Sequence, residues 1–292
     1  MIKKIFVIEG ADGVGKETQS NLLLTKLRLL FSELEKNIAV IKVSFPNYES
    51  DSSYFVRKFL SGEFPENSIR NDAYAVSTAY ALDRYLTWNS EIQNEIWEDF
   101  SKFYNIDPSL KITYNDLYRF PDSYGFSGIV IIADRYIQSN WMYQCARIIL
   151  ENNKWFSALD KEEENELIEN FIKWSSDLEN KKFGIPGKAF GTYVFYLSLS
   201  EEIAKRNRMK RNSAMKSSED ILEKSESLQI KVREIAETLC DKKYMDKIIC
   251  YDNSLMLSET EIHNILMNKV QNILFPSEKK SWRLLILWSF SF

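Results

Sequence analysis

A glycine-rich stretch near the start of the chain constrains the fold more than any other feature. It reads Gly10-Ala11-Asp12-Gly13-Val14-Gly15-Lys16-Glu17-Thr18-Gln19. An apolar run typical of a buried strand precedes it at residues 5–8, and a helix-like amphipathic segment follows at residues 20–27. Strand, glycine loop and helix together predict a phosphate-binding loop, because glycines let successive N–H groups face an anion and the helix adds its partly positive N-terminus.

The spacing of Gly10, Gly15 and Lys16 matches the P-loop pattern, in which the lysine reaches the outer phosphates of a nucleotide. The alternative is an ordinary strand-to-helix turn that is rich in glycine. One position departs from the common pattern, which has a Mg²⁺-binding Ser or Thr directly after the lysine. Here Glu17 holds that position, and Thr18 follows one residue later, turned by about 100° around the helix.

Length and composition limit the class of protein. The 292 residues, 45% hydrophobic and 27% charged, suit one large α/β domain or two small ones. A net charge of −4 argues against a broad nucleic-acid-binding surface, so no nucleic-acid partner is expected. Cys145, Cys240 and Cys250 are interpreted as reduced core residues of a cytoplasmic protein, and the single His263 argues against histidine-based catalysis or metal sites. We expect neither a signal peptide nor a transmembrane segment.

Apolar runs separated by helical patterns predict a five-stranded parallel sheet flanked by helices. The predicted strands are residues 5–8, 38–45, 128–133, 193–199 and 248–251. Between residues 88 and 128 the pattern weakens, and either a helical insertion or a partly ordered excursion fits it. Because ligands of such sheets bind at the carboxyl ends of the strands, the P-loop, Phe45-Pro46 and Asp134-Arg135-Tyr136 are expected to form one site.

Charged residues after two of these strands suit phosphate chemistry. Asp134 resembles a Walker-B carboxylate that holds Mg²⁺, although an N-cap for the next helix is the alternative. Arg135 suits bidentate contact with a phosphate, or else an internal salt bridge. The basic segment at residues 201–212 suits a mobile lid over the phosphates, although a solvated helix face is the common outcome for such a run.

Taken in chain order, the motifs resemble those of thymidylate kinases, from about Ile2 to Ile273. They are the P-loop, Phe45-Pro46, Tyr80-Ala81-Leu82-Asp83-Arg84, Asp134-Arg135-Tyr136 with Ser139-Asn140, and the basic segment. The resemblance implies a P-loop fold of the nucleoside monophosphate kinase type. It also implies that dTMP is phosphorylated to dTDP with ATP and Mg²⁺, in dTTP synthesis, by a homodimer.

The resemblance further implies a set of site residues. The residues implied in binding ATP are Gly10, Ala11, Asp12, Gly13, Val14, Gly15, Lys16, Glu17, Thr18 and Gln19. Those implied in binding the acceptor nucleotide are Asp12, Phe45, Arg57, Tyr80, Arg84, Arg135, Ser139, Asn140 and Tyr143. Those implied in catalysis are Lys16, Asp12, Arg135 and the basic-segment residues Arg206, Arg208 and Arg211, with Asp134 and Thr18 as metal ligands.

The chain also departs from the family pattern. Asn47 and Tyr48 stand where members often carry an arginine, and Arg57 lies further on. The predicted domain covers residues 1–280, with an insertion at about 91–127 and a lid segment at about 201–218; residues 281–292 form an apolar extension. Two alternatives stay open: a catalytically impaired nucleotide-binding scaffold of the same fold, and a kinase for another deoxynucleotide or for a nucleoside.

Overall fold

The computed structural model describes residues 1–10, 13–63, 69–155, 157–187, 191–215, 222, 225–253 and 255–276. At residues 69–71, 155, 208 and 211–215 the description covers the backbone alone. The predicted extension at 281–292 and the end of the predicted lid segment, 216–218, lie outside the described residues, so the predicted domain boundaries stay predictions.

Strands and helices alternate along the chain. The strands are β1 (Ile2–Gly10), β2 (Ile38–Ser44), β3 (Gly128–Asp134), β4 (Thr192–Ser198), β5 (Asp246–Ile249), β6 (Tyr251–Asp252) and β7 (Leu255–Met256). The helices are α1 (Lys16–Glu33), α2 (Tyr54–Leu60), α3 (Ile69–Asn89), α4 (Asn94–Tyr104), α5 (Tyr114–Arg119), α6 (Ile137–Trp155), α7 (Lys161–Ser176), α8 (Glu201–Met215), α9 (Glu226–Asp241) and α10 (Glu259–Leu274).

The central sheet has the strand order β2-β3-β1-β4-β5, and each neighbouring pair is parallel. The predicted five-stranded parallel sheet is therefore confirmed. β6 and β7 form a small separate antiparallel pair. The last strand of the central sheet begins two residues before its predicted start. None of the helices in the described ranges is both long and apolar enough to cross a membrane.

Alternating side chains of β1 fill two cores, one on each face of the sheet. Ile5 and Val7 belong to the core that α3, α6, α7 and α9 cover, whereas Phe6 and Ile8 belong to the core under α1 and α10. All four side chains are fully buried, and each such burial stabilises the fold by about 1.5–3 kcal/mol. A strand buried on both faces reads as an unbroken apolar run, which is why the sequence pattern located it.

The predicted insertion at residues 91–127 is helical. It contains α4 and α5, and α5 begins at a capping box in which Thr113 and Asp116 satisfy each other's backbone N–H groups. Tyr104 of α4 joins the insertion to the sheet, because its hydroxyl donates to the carbonyl of Ile38 (3.1 Å) and accepts from the amide of Val40 (2.8 Å). The insertion thereby covers β2, the edge strand at this end of the sheet.

Candidate functional site

The carboxyl ends of β1, β2 and β3 meet at one edge of the sheet. Asp134, the last residue of β3, lies opposite Ile8 of β1 and Ser44 of β2. The amide of Phe45 donates to the carbonyl of Asp134 (2.9 Å), and the amide of Arg135 donates to that of Ile8 (3.1 Å). The loops that follow β1, β2 and β3 therefore start side by side, although they are far apart in sequence, as the sheet topology requires.

The P-loop connects β1 to α1 through backbone conformations that favour glycine. Gly13 and Gly15 have φ angles of 83° and 84°, in the left-handed region. A Cβ on Gly10 would lie 2.8 Å from the Leu197 carbonyl oxygen, so the loop leaves the sheet too closely for any side chain. Lys16 is the first residue of α1, and its Nζ donates to the carbonyl of Gly10 (2.9 Å) across the loop. Two predicted loop residues, Ala11 and Asp12, lie outside the described residues.

The first turn of α1 separates the three residues that follow the lysine. Glu17 is exposed, Thr18 is half-buried, and Gln19 is buried with its Nε2 donating to the carbonyl of Glu259 (2.9 Å). Val14 belongs to the core on the α1 side of the sheet. Glu17 therefore has its carboxylate in contact with solvent, where a negative charge at a helix N-terminus is favourable.

A cavity of about 250 Å³ lies at the segments that follow β2 and β3, against α3 and α6. Seven of the predicted acceptor-binding residues line it: Phe45, Tyr80, Arg84, Arg135, Ser139, Asn140 and Tyr143. The structure does not bring Arg57 into the lining. Its Nη1 donates to the carbonyls of Tyr48 (2.8 Å) and Ser50 (2.7 Å), so these hydrogen bonds stabilise the loop after β2.

Arg84 forms a buried ion pair that the sequence did not reveal. Its Nε and Nη2 donate to the two carboxylate oxygens of Glu179, at 2.5 and 2.7 Å. The exposed fractions of the two side chains are 2% and 0%. Burial alone lowers the pKa of Arg84, but the charge and hydrogen bonds of Glu179 outweigh it, so the net pKa is raised and the guanidinium stays charged.

Glu9, the residue before the P-loop, is a second buried carboxylate at the site. It accepts hydrogen bonds from the amides of Tyr136 (2.8 Å) and Ser139 (3.1 Å) and from the Ser139 hydroxyl (2.8 Å). Burial raises the pKa of Glu9, although the charges of Arg135 and Lys16 and these hydrogen bonds oppose the rise. Glu9 therefore links β1 to the segment that follows β3.

Arg135 adopts a backbone conformation that is unusual for a side chain of its size. Its φ angle is 64°, in the left-handed region, where a residue other than glycine costs about 1–2 kcal/mol. The neighbouring bonds of Glu9 to Tyr136 and Ser139 hold this turn in place. Backbone strain of this kind is concentrated at functional sites, and here the strained residue lines the cavity.

Solved structures with a similar fold include two thymidylate kinases. The enzyme from Candida albicans superposes with a TM-score of 0.51 at 18% identity, over 92% of this chain and 91% of that one. The enzyme from Ehrlichia chaffeensis aligns over 92% of this chain and 98% of that one, at 15% identity and a TM-score of 0.46. A scan against protein-family models and a search of curated proteins gave no match.

The fold is that of a P-loop nucleoside monophosphate kinase. The resemblance to thymidylate kinases that the motifs predicted is thus confirmed at the level of the fold. In this fold, the P-loop motif and the cavity lie at the carboxyl edge of the sheet, where ligands bind in open α/β sheets.

The helix that begins the predicted lid segment touches the P-loop. Asn207 of α8 donates from Nδ2 to the carbonyl of Gly13 (3.1 Å), a contact that sequence reasoning missed. Arg206 is exposed on the same helix, and the side chains of Arg208 and Arg211 lie outside the description. The start of the predicted lid segment is therefore in contact with the P-loop, and its role as a lid stays a prediction.

The residues predicted to hold Mg²⁺ offer suitable donor atoms. Asp134 supplies a half-buried carboxylate at the end of β3, and Thr18 supplies a half-buried hydroxyl in the first turn of α1. Across the described residues, which omit Asp12, no three His, Cys, Asp or Glu side chains are grouped to hold a metal ion. Few protein ligands are what Mg²⁺ requires at a kinase site, because it keeps several waters and binds substrate phosphates.

Sequence reasoning missed further residues at the cavity. Gln144, one helical turn after Asn140, lines it, and so does the buried Leu222, which precedes α9. The spacing of Asn140 and Gln144 on α6 was a usable signal, because residues four apart share a helix face. No sequence pattern indicated Leu222.

Proposed function

We propose that this chain is an ATP-dependent nucleoside monophosphate kinase that phosphorylates dTMP to dTDP, with Mg²⁺, in dTTP synthesis. The observation that carries the proposal is the cavity at the segments that follow β2 and β3. It brings together an aromatic ring, a charged guanidinium and an amide in Tyr80, Arg84 and Asn140. A thymine base has a face that stacks on an aromatic ring, carbonyl oxygens that accept from a guanidinium, and an N–H that donates to an amide oxygen.

The side chain of Asn140 has the polarity that this recognition needs. Its Nδ2 donates to the carbonyl of Ser77 (3.2 Å), so its Oδ1 is the atom left to accept from a base. Tyr143 follows on the same helix and lines the same cavity, where its ring would crowd a 2′-hydroxyl. Asp12 is proposed to contact the sugar, and Phe45 and Ser139 complete the wall of the cavity.

The chemistry requires positioning and charge neutralisation rather than a covalent intermediate, because the acceptor phosphate is itself the nucleophile. Lys16 is proposed to bind the outer phosphates of ATP, and Arg135 the acceptor phosphate. One or more of Arg206, Arg208 and Arg211 would stabilise the charge that develops during direct in-line transfer. Asp134 and Thr18 would hold Mg²⁺, which when bound neutralises charge on the phosphates.

A panel of acceptors tests the proposal. Release of ADP is measured with ATP, Mg²⁺ and either dTMP, dUMP, dGMP or thymidine, with the Lys16→Ala variant as the control for contaminating kinases. We expect the highest kcat/KM with dTMP. Preference for another monophosphate or for thymidine would reassign the acceptor. Binding of both nucleotides without turnover would favour the alternative hypothesis of a nucleotide-binding scaffold.

The resemblance also supports proposals about assembly and location. We propose that the enzyme acts as a homodimer in the cytoplasm, where its three cysteines, all free thiols, would stay reduced. Sedimentation velocity at micromolar concentration tests the dimer, because a monomer at every concentration would contradict it.

A further inference from the structure

The insertion at residues 91–127 contacts the loop that forms one wall of the cavity. This loop, here called the acceptor loop, consists of residues 45–53 and follows β2. Three of its residues line the cavity: Phe45, Pro46 and Tyr48. The side chain of Asn47, which lies between two of them in sequence, accepts at Oδ1 from Nε2 of Gln93 (2.7 Å). Because Gln93 is the N-cap of α4, this hydrogen bond joins the start of the insertion to the cavity wall.

Helix α3 holds the same part of the acceptor loop through a buried carboxyl group. Asp83 is fully buried, and its Oδ2 accepts from the amide of Asn47 (3.2 Å). Its Oδ1 accepts from the hydroxyl of Ser52, near the end of the loop (2.6 Å). The backbone and the side chain of Asn47 are therefore bound by two different elements, and the residues on either side of it face the cavity.

The position of Gln93 is itself fixed by the segment between α4 and α5. The amide of Ile92 donates to the carbonyl of Ile112 (2.9 Å), and Glu91 forms an isolated antiparallel bridge with Thr113. The side chain of Ile92 is buried in the core. The donor of the bond to the acceptor loop is therefore held in place from within the insertion.

Other hydrogen bonds of the insertion end on β2 and not on the acceptor loop. Tyr104 bonds to the backbone at the start of β2, and the hydroxyl of Tyr114 donates to the carbonyl of Lys42 (3.0 Å). Tyr114 is 2% exposed, so its hydroxyl is shielded from water. These bonds fasten the insertion to the edge strand, and they offer a comparison for the bond that Gln93 makes.

The bond between Gln93 and Asn47 is suited to positioning rather than to stabilising the fold. Both side chains are half-buried, so water can satisfy either amide when the bond is lost. Its loss therefore costs the folded state little. What it removes is one of the two supports of Asn47, and with it the fixed position of the cavity wall.

We propose that Gln93 is a positioning residue for the acceptor nucleotide. Through Asn47, the insertion holds the acceptor loop in the position that binds the acceptor, and Asp83 provides the second support. This role rests on the proposed function, because the acceptor is proposed to bind in this cavity. It also gives the insertion a part in acceptor affinity, although the insertion carries none of the phosphate-binding motifs.

Three variants of the full chain separate positioning from stability. Gln93→Met keeps the length of the side chain but not the hydrogen bond. Gln93→Glu keeps a bond, because the amide of Asn47 can rotate and donate from Nδ2, and an acidic group is favourable at a helix N-terminus. Tyr114→Phe removes a buried hydroxyl whose bond ends on β2, so it should lower the melting temperature more than Gln93→Met does.

We expect Gln93→Met to raise the KM for dTMP about three- to tenfold, the range for one net hydrogen bond, with kcat and the KM for ATP unchanged. Gln93→Glu should restore the original KM, and Tyr114→Phe should leave it unchanged. An unchanged KM in Gln93→Met, or an equal rise in Tyr114→Phe, would overturn the proposal. If the original chain phosphorylates no acceptor, the proposed function fails, and the Kd for dTMP from calorimetric titration takes the place of KM. A chain that neither phosphorylates nor binds dTMP would overturn both.

Hydrogen exchange without nucleotide tests the support of the loop independently of activity. We expect peptides that cover residues 45–53 to exchange faster in Gln93→Met than in the original chain, whereas in Tyr114→Phe and Gln93→Glu they should exchange at the original rate. Equal exchange in Gln93→Met and the original chain would overturn the positioning role, even in an active kinase.

Discussion

The buried pair of Arg84 and Glu179 offers the sharpest test of how the site is held together. The two charges are bidentate and almost fully excluded from water. Removing one partner of such a pair leaves an uncompensated buried charge, which costs about 3–5 kcal/mol. We therefore expect Glu179→Leu and Arg84→Met each to lower the free energy of unfolding by about that amount.

The double variant separates the pair from its surroundings. With both charges replaced by apolar groups of similar volume, desolvation no longer opposes folding, and such replacements are often neutral or stabilising. We expect the double variant to be within about 1 kcal/mol of the original chain, so the coupling energy of the cycle should be at least about 5 kcal/mol.

Urea unfolding, followed by circular dichroism, measures the four free energies of the cycle. The matched control is the exposed pair of Lys181 and Asp177 on the same segment, whose side chains are 74% and 43% exposed. Asp177→Ala should change the free energy of unfolding by less than about 0.5 kcal/mol. If the losses in free energy of unfolding of the two single variants simply add in the double variant, the reasoning is refuted.

The double variant also tests the acceptor site. Arg84 lines the cavity as well as pairing with Glu179, so a stable double variant loses the guanidinium that the base would contact without losing the fold. We expect its KM for dTMP to rise about ten- to a hundredfold, the range for a hydrogen bond to a charged group. An unchanged KM in a folded double variant would mean that the pair serves stability alone.

Four further outcomes are expected. Lys16→Ala should keep the fold and lower kcat about 10²- to 10³-fold in the ADP-release assay, and unchanged turnover would contradict the assignment. Glu17→Ser should leave the Mg²⁺ concentration for half-maximal rate within about twofold, because Glu17 is exposed and a solvated group adds little at a metal site. The pKa of Glu9 is raised above its ordinary value of 4.5 in the folded chain, so its contribution to stability is present at low pH and is lost as the pH rises through the folded pKa. Glu9→Gln should therefore gain stability relative to the original chain as the pH rises above that ordinary value, and parallel curves of stability against pH would contradict this. Gly10→Ala should destabilise the fold by more than Gly125→Ala, in urea unfolding, because a Cβ collides at the first position and meets open space at the second.

Local pattern was sufficient for most of the fold. Both faces of β1 and β3 are buried, so each strand contains an unbroken run of apolar residues. Such runs are typical of the strands of a parallel sheet. The insertion was harder, because its helix α4 packs through Trp97 and Phe100 against other aromatic residues. Trp97, Phe100 and Tyr104 of α4 do have helical spacing. The prolines and the aromatic and charged residues on either side of α4 hid that pattern in the sequence.

Site residues that belong to a sequence motif could be predicted, whereas residues that only tertiary contacts bring to the site could not. Lys16 and Arg135 follow strands, so the sheet topology positions them. Glu179 is 95 residues from Arg84, and only the packing of the turn after α7 against α3 brings the two together. Glu9 was visible in the sequence as a carboxylate at the end of an apolar strand, directly before the first P-loop glycine, and that signal was overlooked.

The two buried carboxyl groups, Glu9 and Glu179, bear on how the proposed enzyme handles charge. Glu179 neutralises Arg84 in a buried ion pair, and the charge of Arg135 opposes the rise that burial causes in the pKa of Glu9. A buried carboxyl group therefore lies near each of these two arginines. Pairing of the Arg84 kind keeps a guanidinium ordered in an apolar surrounding, but it also reduces the positive potential available to a phosphate. Additional positive charge must then come from outside the cavity. The exposed basic side chains of α8, such as Arg206, are suited to supply it when they move over the phosphates. On this reasoning, the two buried carboxyl groups would fix the geometry of the proposed acceptor site, and the basic segment would provide the charge that the proposed transfer requires.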